Sequence, residues 1–318
     1  MLLRSSGPRN LSCVRRLRRR LLRRRHDLTP PPPSPTIRPM LQLSAFADEI
    51  GPNLDDQIAT CVANGVSHFE LRGVAGKNVM DFDDALRAEI KSKLAANGLG
   101  VISIGSPIGK VAIDQPWPAH FDRFKRAVDI AEYFGAPFVR VFSYYPAGGE
   151  GKGPIDPIGD EVIDRFKQKC AYLAGRPVTL VHENEKGIFG DTGARCRTLM
   201  AGVDSPKLRT AFDFANFVQV HEDPLANWEL LKPYTVHIHI KDARMSDGHV
   251  VPPGEGDGQI GPILADAYAG GYRGFVTMEP HLKVAGHSHG ETGPELFGVA
   301  VRALRKLCAD RGIAVAGA

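Results

Sequence analysis

Residues 235–242 read TVHIHIKD, so that aliphatic and β-branched residues alternate with histidines and a charged pair stands at the end. Alternation with a period of two is typical of a β-strand, and side chains two positions apart share one face of it. A strand inside a protein is normally dominated by aliphatic residues, because an unpaired buried charge is costly. We therefore predict a strand whose C-terminal end carries polar groups with a function.

Seven further stretches of this kind follow Met40. They are LQLSAF (41–46), HFELRG (68–73), GVISIGS (100–106), FVRVFSYY (138–145), VTLVHENE (178–185), LRTAFDF (208–214) and GFVTMEPH (274–281). Helical patterns lie at residues 55–64, 83–97, 119–134, 160–174, 193–202, 225–232, 260–270 and 294–311. The first four stop before Gly65, Gly98, Gly135 and Gly175, and glycine is the preferred left-handed residue after a helix.

This alternation of strands and helices predicts an α/β fold with a parallel sheet. Eight units can form either a closed barrel or a doubly wound open sheet. No GxGxxG or P-loop motif follows the first strand, so the main signature of a nucleotide-binding open sheet is missing. The polar residues cluster at the C-terminal ends of the strands, where barrel enzymes build their active sites. We therefore predict a (β/α)8 TIM barrel over residues 40–318.

Residues 1–39 differ in composition from the rest of the chain. They contain eleven arginines, one acidic residue (Asp27) and the proline run TPPPPSPTIRP. We expect a disordered Arg/Pro-rich extension, because this segment has no core-forming pattern. It resembles a transit peptide or a nucleic-acid-binding arm, but Met40 directly precedes the first strand and is the favoured start of translation.

The charge and the cysteines limit the classes of partner. The chain carries a formal net charge of +4, and because residues 1–39 contribute +10, residues 40–318 carry −6. An acidic folded part argues against nucleic acid as the partner. No apolar run of about 18 residues is present, so we expect no membrane span. Five scattered cysteines without a CxxC pair indicate reduced thiols and a cytoplasmic protein, and the sequence is compatible with a homo-oligomer.

The last four predicted strands end in HENE, DFAN, HIHIKD and MEPH. A divalent cation explains how several carboxylates can share one buried space. The predicted ligands are Glu183, Asp213, His239 and Glu279. His239 is preferred to His237 on the same strand face because it lies nearer the C-terminal end. Three carboxylates and one imidazole suit Mn²⁺, Mg²⁺ or Co²⁺ better than a structural Zn²⁺.

Several motifs point to a known family. LSAFADEIGPNLDDQ, HENEKGIFGDT, AFDFANFVQ, HIHIKDA, VPPGEGDGQI and GYRGFVTMEPHL resemble the xylose-isomerase-like barrel family of sugar phosphate isomerases and epimerases, from about residue 41 to 312. The resemblance implies a metal ion at the same four positions. It also implies proton abstraction next to a carbonyl through an enediolate, with Glu183 and Glu279 as the acid–base pair. The substrate would be a sugar or a sugar phosphate, with a role in carbohydrate metabolism.

Other polar residues near the strand ends are candidates for substrate contacts. They are Glu185, Asn216, Lys241, Glu255 and His281. Asn216 stands where epimerases of this family often have histidine, which weakens an assignment to the free-ketose 3-epimerases. Glu255 belongs to the glycine-rich loop 252–258, which we expect to be a lid or a substrate-contacting loop, since its acidic residues would repel phosphate. His287 and His289 are expected on the surface.

Three other functions stay open from the sequence. A lyase such as an inosose-type dehydratase would use the same ligands and abstract a similar proton. A metal nuclease of the apurinic-site endonuclease family would need three zinc ions and additional histidines, and only the spaced pair Asp247 and His249 favours it. A non-catalytic binding protein would require a vestigial metal site, although no ligand position is lost.

Overall fold

The computed structural model describes residues 40–285 and 290–317. Eight parallel strands form a closed barrel in which each strand pairs with its neighbours in sequence and the first pairs with the last. They are β1 (Gln42–Ala45), β2 (His68–Leu71), β3 (Gly100–Ile104), β4 (Phe138–Val141), β5 (Thr179–Glu183), β6 (Leu208–Asp213), β7 (Thr235–Ile240) and β8 (Phe275–Met278). The predicted (β/α)8 barrel is confirmed, while the predictions for residues 1–39, His287 and His289 lie outside the described residues.

Helices alternate with the barrel strands. They are α1 (Leu54–Ala63), α2 (Asp84–Ala96), α3 (Trp117–Phe134), α4 (Gly159–Tyr172), α5 (Gly193–Val203), α6 (Phe214–Gln219), α7 (Pro224–Leu231), α8 (Ile260–Ala269) and α9 (Gly293–Ala309). Two-residue strands form small hairpins in the loops, at Gly73–Val74 with Lys77–Asn78 and at Asp242–Ala243 with Val250–Val251. A third hairpin pairs Val284–Ala285 with Gly290–Glu291. Within the described part of the chain, no helix is both long and apolar enough to span a membrane.

Gly65, Gly98 and Gly135 follow α1, α2 and α3 directly or after one residue, as predicted, whereas α4 ends at Tyr172, three residues before Gly175. Gly65, Gly98, Gly135 and Gly175 all have a left-handed backbone, with φ between +66° and +76°. The short helix α6 was not predicted. It begins at once after β6, because the side chain of Asp213 caps it: Asp213 Oδ1 accepts a hydrogen bond from the backbone N–H of Asn216 at 2.7 Å.

All eight strands end one to four residues earlier than the alternation suggested. β4 stops at Val141 because the N–H of the next residue, Phe142, donates to the carbonyl of Ile108 in a loop. β7 stops at Ile240, and β8 stops at Met278, two residues before Pro280, which lacks the N–H needed to continue a ladder. The residues that follow these strands therefore lie at the mouth of the barrel.

Polar side chains fill the interior of the barrel. Around Ser44, His239 and Thr277 the neighbouring strand residues are buried aliphatic or small ones that face the helices, while the polar residue faces the axis. Ser44 Oγ lies 2.7 Å from Thr277 Oγ1, and Thr277 Oγ1 donates to Glu70 Oε2 at 3.1 Å. Since β2 and β8 are not adjacent in the barrel, the Thr277–Glu70 contact crosses its interior.

Candidate active site

Four side chains from the last four strands meet at the C-terminal end of the barrel. Glu183 ends β5, Asp213 ends β6, His239 is the last but one residue of β7, and Glu279 follows β8. None of the four is more than 3% exposed. One ligand-type atom from each lies within 4.8 Å of the others. The structure thus brings three carboxylates and one imidazole around a single point.

Several ligand-type atoms at this point lack a hydrogen bond, although Lys241 forms an ion pair with one of them. Asp213 Oδ2, His239 Nδ1 and Glu279 Oε2 are buried and have no hydrogen bond among the described residues. His239 Nδ1 lies 3.1 Å from Glu183 Oε1 and 3.5 Å from Glu279 Oε2. Buried polar atoms without partners are rare in folded proteins, and a cation bound here would satisfy all of them. The residues present therefore fit one divalent metal ion.

Each glutamate directs its second oxygen to an arginine. Arg140 Nη1 donates to Glu183 Oε2 at 3.1 Å, and Arg72 Nη1 donates to Glu279 Oε1 at 3.1 Å. Both guanidinium groups pack on the ring of Phe46, at 4.4 Å for Arg72 and 4.8 Å for Arg140. The arginines hold the outer oxygens, so the inner oxygens stay directed at the imidazole. Neither arginine was predicted from the sequence, although Arg140 within the otherwise apolar strand β4 was an available signal.

The surrounding charges keep both glutamates ionised. Burial would raise the pKa of Glu183, but His239 and a neighbouring arginine outweigh burial and lower it. Burial also opposes ionisation of Glu279, yet Lys241 and nearby histidines hold its pKa well below the usual range. Both side chains are therefore carboxylates at neutral pH and can accept a proton.

Asp213 forms a buried ion pair with Lys241, which also lies close to Glu279. Lys241 Nζ lies 3.0 Å from Asp213 Oδ2 and 3.7 Å from Glu279 Oε2. Burial raises the pKa of Asp213 to about 7, against the attraction of Lys241. Burial opposes the charge of Lys241, but Asp213 and Glu279 raise its pKa, so its ammonium group is a positive charge beside the carboxylates.

His239 is held between acidic groups on both sides of its ring. Burial would lower the pKa of this histidine, but the negative charges of Glu183 and Glu70 raise it well above its ordinary value. The protein without a bound cation therefore carries an imidazolium here. A metal ion would have to displace the proton on Nδ1.

His281 is fixed beside Glu279 by a carboxylate that the sequence analysis missed. His281 Nε2 lies 3.1 Å from Glu49 Oε1 and 3.4 Å from Glu279 Oε1, and the N–H of His281 donates to Glu49 Oε2 at 2.9 Å. Its φ of +47° is unusual for a residue with a side chain. Burial lowers the pKa of His281, but Glu49 and Glu279 raise it to about 9. His281 is therefore a proton donor at neutral pH.

Asn216 and Glu185 lie at different distances from the centre. Asn216 Nδ2 donates to the carbonyl of Asn184 at 2.8 Å and lies 3.4 Å from Glu183 Oε1. Glu185 lies beyond the end of β5 and pairs with Lys110 at 2.7 Å. The structure thus brings Asn216 into contact with Glu183, whereas Glu185 pairs with Lys110.

The loop 252–258 is organised by Asp242. The Asp242 carboxylate accepts hydrogen bonds from the N–H groups of Gly254, Gly256 and Gly258, at 2.8, 3.1 and 2.9 Å. Glu255 in the same loop is exposed. A contact between Glu255 and substrate stays a prediction.

The described residues contain two further groups that could hold an ion, and both overlap the first. They are Glu70 with His237 and His239, and Glu49 with Glu279 and His281. Asp247 Oδ1 accepts a hydrogen bond from the N–H of His249 in an exposed loop, and neither residue belongs to any of the three groups within the part of the chain that was described. The second metal position considered for a nuclease is therefore not formed by this pair.

Fold and site together define a (β/α)8 barrel with a buried group of carboxylates and a histidine that could hold a metal ion at the C-terminal ends of its strands. A family model described as xylose isomerase-like TIM barrel matches residues 58–307, and the chain belongs to this family.

Known proteins that resemble the chain have several activities. A 3-dehydroshikimate dehydratase of Bacillus anthracis is 22% identical over 201 residues, which is 62% of this chain and 70% of the relative. The structure of a D-allulose 3-epimerase from Methylomonas sp. in complex with D-allulose has a TM-score of 0.66 and 15% identity, over 84% of this chain and 97% of that one. A xylose isomerase-like TIM barrel protein from Mycobacterium smegmatis in complex with magnesium has a TM-score of 0.64 and 17% identity, over 86% of this chain and 98% of that one. At these sequence identities, the two structural matches show that the fold is similar.

Proposed function

We propose that the protein is a divalent-metal-dependent isomerase or epimerase that abstracts a proton next to the carbonyl group of a sugar or sugar phosphate. The observation that carries the proposal is the arrangement of Glu183 and Glu279, which approach His239 Nδ1 with one oxygen each and an arginine with the other. Two carboxylates held in this way can act on a substrate between them as base and acid.

In this proposal Glu183, Asp213, His239 and Glu279 hold the ion, and the oxygen-rich donor set favours Mn²⁺, Mg²⁺ or Co²⁺. The bound ion would stabilise the negative charge that develops on the carbonyl oxygen when the proton leaves. The related barrel solved with magnesium supports this class of ion.

The other residues would orient the carboxylates and the substrate. Arg140 and Arg72 keep the outer oxygens of the two glutamates in place. Lys241, with its ammonium 3.0 Å from Asp213, adds a positive charge beside the proposed ligands. His281 lies beside Glu279 in protonated form and can donate to a substrate oxygen.

A dehydratase is the second candidate, and the Bacillus anthracis relative favours it. Such an enzyme also removes a proton next to a carbonyl, and the hydroxyl group on the adjacent carbon then leaves as water. The lowered pKa values of Glu183 and Glu279 are compatible with this route, because it needs one carboxylate base. The proton for the leaving hydroxyl would come from a separate donor, such as His281.

We also propose a small-molecule substrate and a cytoplasmic location. The acidic balance of residues 40–318 supports a small molecule over nucleic acid. Cys61, Cys170, Cys196 and Cys308 are free and buried, which supports a reducing compartment.

The first test is metal content followed by proton exchange. Purified protein should hold about one divalent ion per chain, and deuterium from D2O should enter one member of a panel of ketoses, ketose phosphates, hydroxypyruvate and inososes. Glu183→Gln and Glu279→Gln should each abolish exchange. Glu229→Gln, at an exposed ion pair on α7, is the matched control and should leave it unchanged.

The products distinguish the two candidates. A deuterated ketose or its epimer supports the isomerase, whereas release of water with an unsaturated product, from an inosose or from 3-dehydroshikimate, supports the dehydratase. Absence of a stoichiometric ion from native and reconstituted protein, together with exchange into no compound, contradicts both.

A further inference from the structure

A carboxylate lies at the centre of the barrel, one layer below the proposed metal ligands. Glu70, on β2, is fully buried. Its Oε2 lies 2.6 Å from His237 Nε2 and 3.1 Å from His239 Nε2, and both histidines belong to β7, which is not a neighbour of β2 in the barrel. Glu70 is therefore placed by the closure of the barrel against the ring edge of His239 that points away from Glu183.

Two hydroxyl groups complete the surroundings of Glu70. Ser103 Oγ donates to Glu70 Oε1 at 2.9 Å, and Thr277 Oγ1 donates to Glu70 Oε2 at 3.1 Å. With the two imidazoles, four groups from three other strands face one carboxylate, which has about four acceptor positions. An ionised carboxylate only accepts hydrogen bonds, so each histidine must present an N–H group to it.

This arrangement decides which nitrogen of His239 can bind an ion. A neutral imidazole with its proton on Nε2 has its lone pair on Nδ1, and Nδ1 of His239 faces Glu183 and Glu279. We infer that Glu70 is a positioning residue that keeps the proton on Nε2 of His239 and directs Nδ1 toward the proposed metal position. The inference rests on the proposed metal site and adds to it a residue that the sequence analysis missed.

The packing around His239 supports the same role. The ring of Phe46 meets the His239 ring edge to face, with centroids 5.1 Å apart, and the ring of His237 does so at 5.3 Å. These rings limit rotation of the imidazole. The hydrogen bond to Glu70 determines which of the two ring nitrogens faces Glu70. Position and tautomer are thus determined by different neighbours.

Glu70, His237 and His239 could also bind an ion themselves. The distance of 2.6 Å between Glu70 Oε2 and His237 Nε2 is that of a strong hydrogen bond, and Ser103 and Thr277 occupy the remaining acceptor positions of Glu70. We therefore assign this group as a hydrogen-bond network and make ion binding in it an outcome of the test.

The test compares metal affinity in Glu70→Gln and wild type by titration with Mn²⁺ and Co²⁺. Glutamine keeps the shape of Glu70 but can no longer accept from every donor around it. We expect the affinity to fall about 10- to 100-fold, as for other partners of metal-binding histidines. Ser103→Ala is the matched control, because it removes one donor to Glu70 and leaves both histidine contacts, and it should bind metal within about threefold of wild type.

A second measurement begins with the wild-type protein. In wild-type protein loaded with Zn²⁺ as a diamagnetic probe, ¹⁵N NMR of labelled histidines should show a proton on Nε2 of His239 and none on Nδ1. In folded Glu70→Gln, as judged by circular dichroism, this single state should be lost or the ion should be weakly bound.

Each outcome separates this inference from the proposed function. Equal affinity of Glu70→Gln and wild type, or a proton on Nδ1 of the loaded wild type, overturns the role of Glu70 and leaves the metal site standing. An ion that is lost in His237→Asn but kept in Asp213→Asn lies in the lower group and overturns the inference. A wild type that binds no ion overturns both.

Discussion

Arg140 and Glu183 form a buried ion pair, with Arg140 Nη1 3.1 Å from Glu183 Oε2 and both side chains almost fully enclosed. The same relationship links Arg72 to Glu279 on the other side of the site. Removing one member of a buried pair leaves an uncompensated charge, which is more costly than the loss of an exposed pair. The two arginines therefore affect both the stability of the site and the ionisation of its carboxylates.

Arg140→Met should lower the free energy of unfolding of the metal-free protein by about 3 kcal/mol, because Glu183 would remain buried without its partner. Urea denaturation measures this change. Mn²⁺ should restore part of the loss, since the cation would supply a positive charge beside Glu183. Lys306→Met, at the exposed Lys306–Asp310 pair, is the control and should change stability by less than about 0.5 kcal/mol. Equal effects of the two substitutions would contradict the prediction.

Metal binding should strengthen as the pH rises. The pKa of His239 is raised by Glu183 and Glu70 against the effect of burial, and burial raises that of Asp213 to about 7. Both groups must lose a proton to bind a cation, so protons compete with the metal below and around neutral pH. Titration calorimetry at pH 6 and pH 8, in buffers of different ionisation enthalpy, should show tighter binding at pH 8 and proton release. Binding that is independent of pH and releases no proton would refute this expectation.

Lys169 should make stability depend on pH in the alkaline range. Its ammonium is fully buried and donates to the Tyr144 hydroxyl at 2.7 Å, and burial lowers the pKa of Lys169 to about 7. In unfolded chains the lysine pKa is about 10.4, so between pH 7 and 10 the unfolded state binds more protons and stability rises with pH. Below pH 7 the folded protein bears the full cost of a buried charge.

Lys169→Met should remove this dependence. The variant should gain stability relative to wild type at pH 6, and the difference should shrink by a few kcal/mol between pH 7 and pH 10. Urea unfolding of both proteins across this range measures it. The neighbouring His120 has a pKa lowered to about 3 by burial, and burial raises that of Tyr144, so neither mimics the effect. Parallel curves for the two proteins would show that Lys169 keeps an ordinary pKa.

Asp242→Asn should loosen the loop 252–258. The Asp242 carboxylate accepts from three glycine N–H groups, and an asparagine in its place turns a donor toward them, which should cost about 1–3 kcal/mol. Hydrogen–deuterium exchange of a peptide that spans the loop should become faster. Asp247→Asn, at an exposed turn with one such bond, serves as the comparison. Unchanged exchange in the Asp242 variant would mean that other contacts hold the loop.

The sequence by itself determined the barrel and the location of its centre. Strand periodicity, glycine helix stops and polar residues at the strand ends are local signals, because each depends on backbone geometry within one element. They predicted eight βα units and selected Glu183, Asp213, His239 and Glu279, which the structure brings around one point. The assignment of metal binding and catalysis to these four residues stays a prediction.

Only the tertiary structure decided what surrounds these four residues. Glu70 lies 167 residues from His237 in the chain, and Arg72 lies 207 residues from Glu279. In the sequence, both look like ordinary charged residues at or just after the end of β2. Their importance arises when the closed barrel buries them against a partner on a distant strand, where a low dielectric makes the contact strong. A pattern within one strand carries no information on which distant group completes it.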